Sequence, residues 1–143
     1  MTPEVRRQTY IRASPEEVYD ALATADGLDS WFTSGATVDP RPGGEITYRW
    51  VDWGPRRIST TAPGTVHEAV RPSRFVFERD SGDEHPTTVE FDLEARDGRT
   101  VLHLREHGFS SGDRGMRAAL DEASGWGEAM TLVKFRIEHG LRY

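Results

Sequence analysis

The stretch Thr100-Val101-Leu102-His103-Leu104-Arg105-Glu106-His107-Gly108-Phe109 alternates with the period of a strand, and a helical pattern from about Asp113 to His139 follows it directly. The chain before it breaks into short strand-like runs. One long helix following many short strands must bury its apolar stripe against the sheet they form. The pattern therefore implies an α+β fold in which a curved sheet wraps a C-terminal helix, with room for a cavity between them.

At 143 residues the chain fits one domain, residues 1–143, large enough to bury a core without disulfides or structural metal. There are no cysteines, which excludes thiol catalysis and thiolate zinc sites and suits a reducing compartment. The N-terminal residues lack the apolar stretch of a secretory signal, and no apolar run approaches the roughly 18 residues of a membrane span, so a cytoplasmic location is expected. A net charge of −6 argues against a nucleic-acid surface, which normally carries a basic patch.

Glu4 to Arg12 alternates and predicts the first strand. Ser14-Pro15-Glu16-Glu17 supplies an N-cap, a proline at the first helical position and acids facing the positive end of the dipole, which predicts a helix from Pro15 to about Ala23. A second helical turn is expected from Asp26 to Trp31, with Trp31-Phe32 closing one side of the core. Strands are then predicted over Thr33–Val38, Glu45–Asp52, Ile58–Val70, Arg74–Asp80, Thr87–Ala95 and Thr100–His107, with Asp97-Gly98 as a tight hairpin turn. With the first, these make seven.

Parity places Val89, Phe91, Leu93 and Ala95 on the core face, with Leu102, Leu104 and Glu106 on the core face of the following strand. Ile46, Tyr48 and Trp50 form one row; Phe75, Phe77 and Arg79 form another. On the helix, Leu120, Ala123, Trp126, Met130, Val133, Ile137 and Leu141 recur at spacings of three and four. Gly125 and Gly127 beside Trp126 each lower helix propensity by roughly 1 kcal/mol against alanine, which implies close backbone approach or open space there.

In their order and spacing, Ala13-Ser14-Pro15-Glu16-Glu17-Val18-Tyr19-Asp20-Ala21-Leu22, Trp31-Phe32, Val38-Asp39-Pro40-Arg41-Pro42-Gly43-Gly44-Glu45, Gly64-Thr65-Val66-His67-Glu68, the strand ending in Phe109, and Gly125-Trp126 resemble the START-like or SRPBCC superfamily. Within it the chain is most similar to the activator of heat-shock-protein ATPase homologue family. The resemblance implies a helix-grip fold: a bent seven-stranded antiparallel sheet, first strand beside last, around the C-terminal helix, with two short helices after the first strand. Members of the superfamily include lipid carriers, ligand binders, polyketide cyclases and chaperone activators, so the resemblance implies an architecture rather than one activity.

The first expectation is a binder of a mainly apolar small molecule, without cofactor or metal, as a monomer or homodimer. The turns at Trp53–Arg57, Asp80–Pro86 and Gly108–Arg114 share one end of the sheet and are long, so the opening is expected there, rimmed by Trp53, Arg79, Glu106 and Phe109. Tyr48, Trp50, Phe77, Phe91, Leu104, Trp126 and Met130 are expected to line the interior. The inward carboxyl of Glu106 must be paired, protonated or near water. It serves either as a structural partner, with Arg79 as its candidate, or as the acid or base of a cyclase, dehydratase or hydrolase. A third function, co-chaperone of a heat-shock ATPase, rests on the family resemblance; the eukaryotic activators carry an additional N-terminal domain. His103 and His107 share a face but stand about 13 Å apart along a strand, too far to share a metal unaided.

Overall fold

Strand β1 (Val5–Ile11) gives way to helix α1 (Pro15–Ala23) at Ser14, whose hydroxyl accepts the Glu17 amide at 3.2 Å. Thr24 repeats the device for α2 (Ala25–Asp29), accepting the Gly27 amide at 2.9 Å. In this computed structural model, which describes residues 2–142, α2 ends short of Trp31. The next turn is looser, with the Phe32 and Thr33 amides both reaching Leu28 O and the Trp31 indole donating to Ala21 O at 2.8 Å.

Six further strands follow: β2 (Thr37–Val38), β3 (Glu45–Trp53), β4 (Ile58–Val70), β5 (Arg74–Arg79), β6 (Thr87–Arg96) and β7 (Arg99–His107). All neighbours pair antiparallel in the order β1-β7-β6-β5-β4-β3-β2, which sets the first strand beside the last. The β6–β7 hairpin turns on Asp97 and Gly98, with φ of 53° and 76°, the left-handed pair that a tight two-residue turn requires. The strand expected over Thr33–Val38 shrinks to two residues. Asp29 Oδ1 accepts the Thr33 hydroxyl at 2.7 Å and the Gly35 and Ala36 amides at 2.9 Å each, so these two amides serve a carboxylate, while the Ser34 amide still donates to Arg49 O of β3 at 2.7 Å.

Helix α3 (Asp113–His139) stops at Gly140, whose φ of 69° and N–H bond to Arg136 O form a left-handed cap. Its buried residues are Ala118, Ala119, Trp126, Ala129, Met130 and Val133, with Gly115 at the start. The expected stripe is corrected at both ends. Leu120 is exposed because the seam runs through its neighbours Ala118 and Ala119, and Leu141 is exposed because it lies beyond the Gly140 turn. From Leu120 to Gly125 only Glu122 and Ala123 are even partly buried, Ala123 against the core, so the fully buried seam of the helix lapses one turn before Trp126.

Strand parity holds for Ile46, Tyr48, Phe75, Phe77, Val89, Phe91, Leu93, Leu102, Leu104 and Glu106, all buried. Ala95, beside the hairpin turn, is exposed. Val101, on the outer parity, is 7% exposed and sits in register between Tyr10 and Glu94.

The far end of α3 is fastened to β1 through Glu138, whose side chain is 3% exposed. It accepts the Arg12 amide at 2.8 Å, the Arg12 guanidinium at 3.0 Å and the Lys134 ammonium at 2.8 Å, while Lys134 also reaches Tyr10 O. Burial raises the carboxyl pKa, but these donors outweigh it and hold it down at about 2. A carboxyl with a depressed folded pKa contributes stability above its ordinary 4.5 and loses it as pH falls toward about 2. Glu138→Gln is expected to destabilise the fold at pH 7 by about 1–2 kcal/mol, discounted because Arg12 is half exposed. Urea unfolding at stepped pH should show the two proteins converging below pH ~4.5; a constant difference would assign the loss to packing instead.

Candidate functional site

Where α3 stands off the sheet, a cavity of about 420 Å³ opens between β3, β4, the segment after β5 and the middle of the helix. Its apolar wall is Phe32, Trp50, Trp53, Ile58, Ala62 and Trp126. Phe32 organises the rings: it stacks on Trp31 at 4.7 Å, meets Trp50 and Trp53 edge-on at 5.3 and 5.7 Å, and lies 6.4 Å from Trp126. Thr60, Thr61, Ser81 and Asp80 add polar wall, and the helix contributes Asp121, Glu122 and Gly125. A Cβ built on Gly125 would meet nothing within 4 Å, which answers the expectation of open space; at Gly127 the nearest neighbour is the Arg7 guanidinium at 3.6 Å.

Arg79 forms the charged part of the wall. Parity points it inward from the end of β5, and it is only 7% exposed. Nη2 donates to Glu122 Oε2 at 2.7 Å and Nη1 to Asp80 O at 3.1 Å, while the guanidinium carbon lies 5.5 Å from the Tyr48 ring centre and 5.4 Å from that of Trp126. Burial opposes its charge, but Glu122, Glu106 and Tyr48 more than compensate, so Arg79 is held cationic. Burial also dominates Glu122, whose pKa is pushed up to about 8; Arg79 pulls it down and nearby Glu106 pushes it further up. Burial and the neighbouring Glu106 thus favour the protonated form of Glu122 near neutral pH.

Glu106 is fully buried and lies behind the cavity. Its Oε1 accepts the Trp126 indole N–H at 2.8 Å and its Oε2 the Thr87 hydroxyl at 2.6 Å. The expected Arg79–Glu106 pair is therefore corrected: across the intervening β6, Arg79 is in register with Thr87, and its guanidinium reaches up to the helix instead of along the sheet.

Of the eleven residues expected around the ligand, Trp50, Trp53, Arg79 and Trp126 line the cavity. Tyr48, Phe77, Phe91, Leu104 and Met130 are buried in the core beside or beneath it. Glu106 and Phe109 are not rim residues, being 0% and 2% exposed. The cavity wall includes Trp53 and Ile58, on either side of the β3–β4 turn, and Asp80, Ser81 and Gly82 after β5, but no residue of the third expected connection, 108–114. The β5–β6 connection is tied down, however: Asp83 accepts the Ser110 amide at 2.6 Å and the Ser110 hydroxyl at 2.5 Å. Glu122 is a wall residue that the sequence pattern does not single out, although its spacing of four from Trp126 puts it on the same helix face. Phe32 closes the core on one side, as expected, and is a cavity wall on the other; nothing local in the sequence distinguishes the two roles. His107 and His103 pair with separate carboxyls, Glu90 at 2.6 Å and Glu94 at 3.1 Å.

A bent antiparallel sheet gripping a C-terminal helix, with an aromatic cavity where the two separate, defines a helix-grip protein. The family model described as "Activator of Hsp90 ATPase homolog 1-like protein" matches residues 12–134, and the chain belongs to that family. Among solved structures it is similar to the Aha1 dimer from Colwellia psychrerythraea, with 20% identity, TM-score 0.77, and coverage of 96% of this chain and 98% of that one. It is also similar to CalU16 from Micromonospora echinospora, at 17% identity, TM-score 0.73, and coverage of 96% and 83%. A third is DynU16, a protein of the dynemicin biosynthetic locus, at 18% identity and TM-score 0.78; the alignment covers 96% of this chain and 48% of that longer one. These likenesses show the fold. Comparison with proteins of curated function gives no match. No helix among the described residues is long and apolar enough to cross a membrane.

Proposed function

We propose that the chain binds a mainly apolar, ring-containing small molecule in the cavity between β3, β4 and α3. The carrying observation is the cavity itself: about 420 Å³ walled by four aromatic rings, at the place where the helix seam is interrupted. Gly125 keeps that space open at a cost in helix propensity. Gly125→Leu should fill it without disturbing the core. The expected result is that 2-ethylnaphthalene quenches tryptophan fluorescence of the natural protein and not of the variant, while both melt within about 3 °C of each other. Equal quenching in both would place binding elsewhere. Native mass spectrometry and organic extraction of protein purified from its host would then identify the ligand.

A second reading makes the cavity an active site for acid–base chemistry on a hydrophobic substrate. Glu122 favours it, since its carboxyl lies in the wall with a pKa moved up to about 8, where a group can both hold and give a proton. Glu106, the candidate by strand parity, lacks that access. Turnover lost in Glu122→Gln, with ligand affinity retained, would establish it. Co-chaperone action is tested directly by adding the protein to the host chaperone ATPase. The Colwellia psychrerythraea protein is described as a dimer; sedimentation velocity separates monomer from homodimer for this chain.

A further inference from the structure

Three buried side-chain polar atoms among the described residues have no hydrogen-bond partner: Trp50 Nε1, Arg79 Nε and Ser81 Oγ. The three residues line the same cavity, with these atoms beneath its accessible surface. The first two can only donate, and the third can donate. Shielded from water, they lack solvent as a substitute acceptor, and a buried donor left unmet is costly. Folded proteins leave few such groups, so three at one cavity need an explanation that the core does not provide.

The missing component is an acceptor. We propose that the ligand of this cavity carries a neutral carbonyl oxygen on its ring system, received by Trp50 Nε1 and Ser81 Oγ, one to each lone pair, as their side chains turn toward it. A carbonyl oxygen brings two lone pairs and no proton that would need a partner of its own. An ammonium group brings no acceptor. A carboxylate brings acceptors, but the terminal nitrogens of Arg79 are already engaged by Glu122 and Asp80 O, and the acidic side chains of Asp80 and Asp121 line the same space. A further anion would stand among them.

This inference rests on the apolar-cavity reading, and three naphthalene probes of one shape separate the two. Affinities of 2-ethylnaphthalene, 2-acetonaphthone and 2-naphthoate are measured by tryptophan quenching and calorimetry. The ketone is expected to bind about tenfold tighter than the hydrocarbon, and the carboxylate weakest. Trp50→Phe and Ser81→Ala should each reduce the ratio of ketone to hydrocarbon affinity by about three- to tenfold. Bound 2-acetonaphthone labelled with ¹³C at the carbonyl should show its stretch at lower wavenumber than in an apolar solvent, and the shift should shrink in both variants. Hydrocarbon and ketone binding equally, an unshifted stretch, or naphthoate binding tightest would each overturn the carbonyl and leave the cavity standing. If none of the three binds, the cavity reading falls with it.

Discussion

Glu106→Ala should lower the thermal midpoint by about 10 °C, the largest stability effect expected of any single substitution in the site. The carboxyl is fully buried and both oxygens are used, one by the Trp126 indole and one by the Thr87 hydroxyl. Truncation leaves two buried donors without an acceptor and a void beneath Trp126, a loss of about 3 kcal/mol, and a domain of this size shifts by roughly 3 °C per kcal/mol. Glu106→Gln should lose less, because the amide oxygen still accepts from Trp126 and the Thr87 hydroxyl can turn to accept from the amide nitrogen. Differential scanning calorimetry of the three proteins checks this. An alanine variant melting within about 2 °C of the natural protein would show that Glu106 is not structural, and would return it to consideration as a chemical group.

The second large effect is a pH dependence opposite to that of Glu138. The Glu122 carboxyl has a folded pKa of about 8, above its ordinary 4.5, so between those values the folded state binds more protons than the unfolded one. Stability contributed by this group is complete below about pH 4.5 and is lost as pH rises through 8. Urea unfolding from pH 5 to 8.5 should therefore show the natural protein weakening with pH relative to Glu122→Gln, with a slope of at most about 1.4 kcal/mol per pH unit. Glutamine keeps the contact with Arg79 through its amide oxygen and cannot ionise. Parallel curves for the two proteins would mean that Glu122 is an ordinary surface-type ion pair.

Much of this architecture is legible in the amino-acid sequence. The limits of α1, β4 and α3, the Gly140 cap, the Asp97-Gly98 hairpin and the inward parity of Phe75, Phe77, Arg79, Leu104 and Glu106 follow from local rules: who caps, who turns, which side of a strand a residue takes. Local rules fail where a side chain takes over backbone bonding, as Asp29 does at Gly35 and Ala36. They fail again where two neighbouring helix positions could both face inward, as with Ala119 and Leu120.

The sequence by itself therefore determined the order of elements and the face of each residue, because periods of two and of 3.6 encode direction. Depth along that direction was decided only by the tertiary structure. Tyr48 and Trp50 share one strand face, yet Tyr48 is sealed beneath Arg79 while Trp50 lines the cavity, because the helix leaves the sheet between them. The same separation lets Arg79 reach Glu122 on the helix and leaves Glu106 to Trp126 and Thr87. Partner choice depends on the distance between a curved sheet and a long helix, and that distance is set by packing summed over the whole core rather than by any local run of residues.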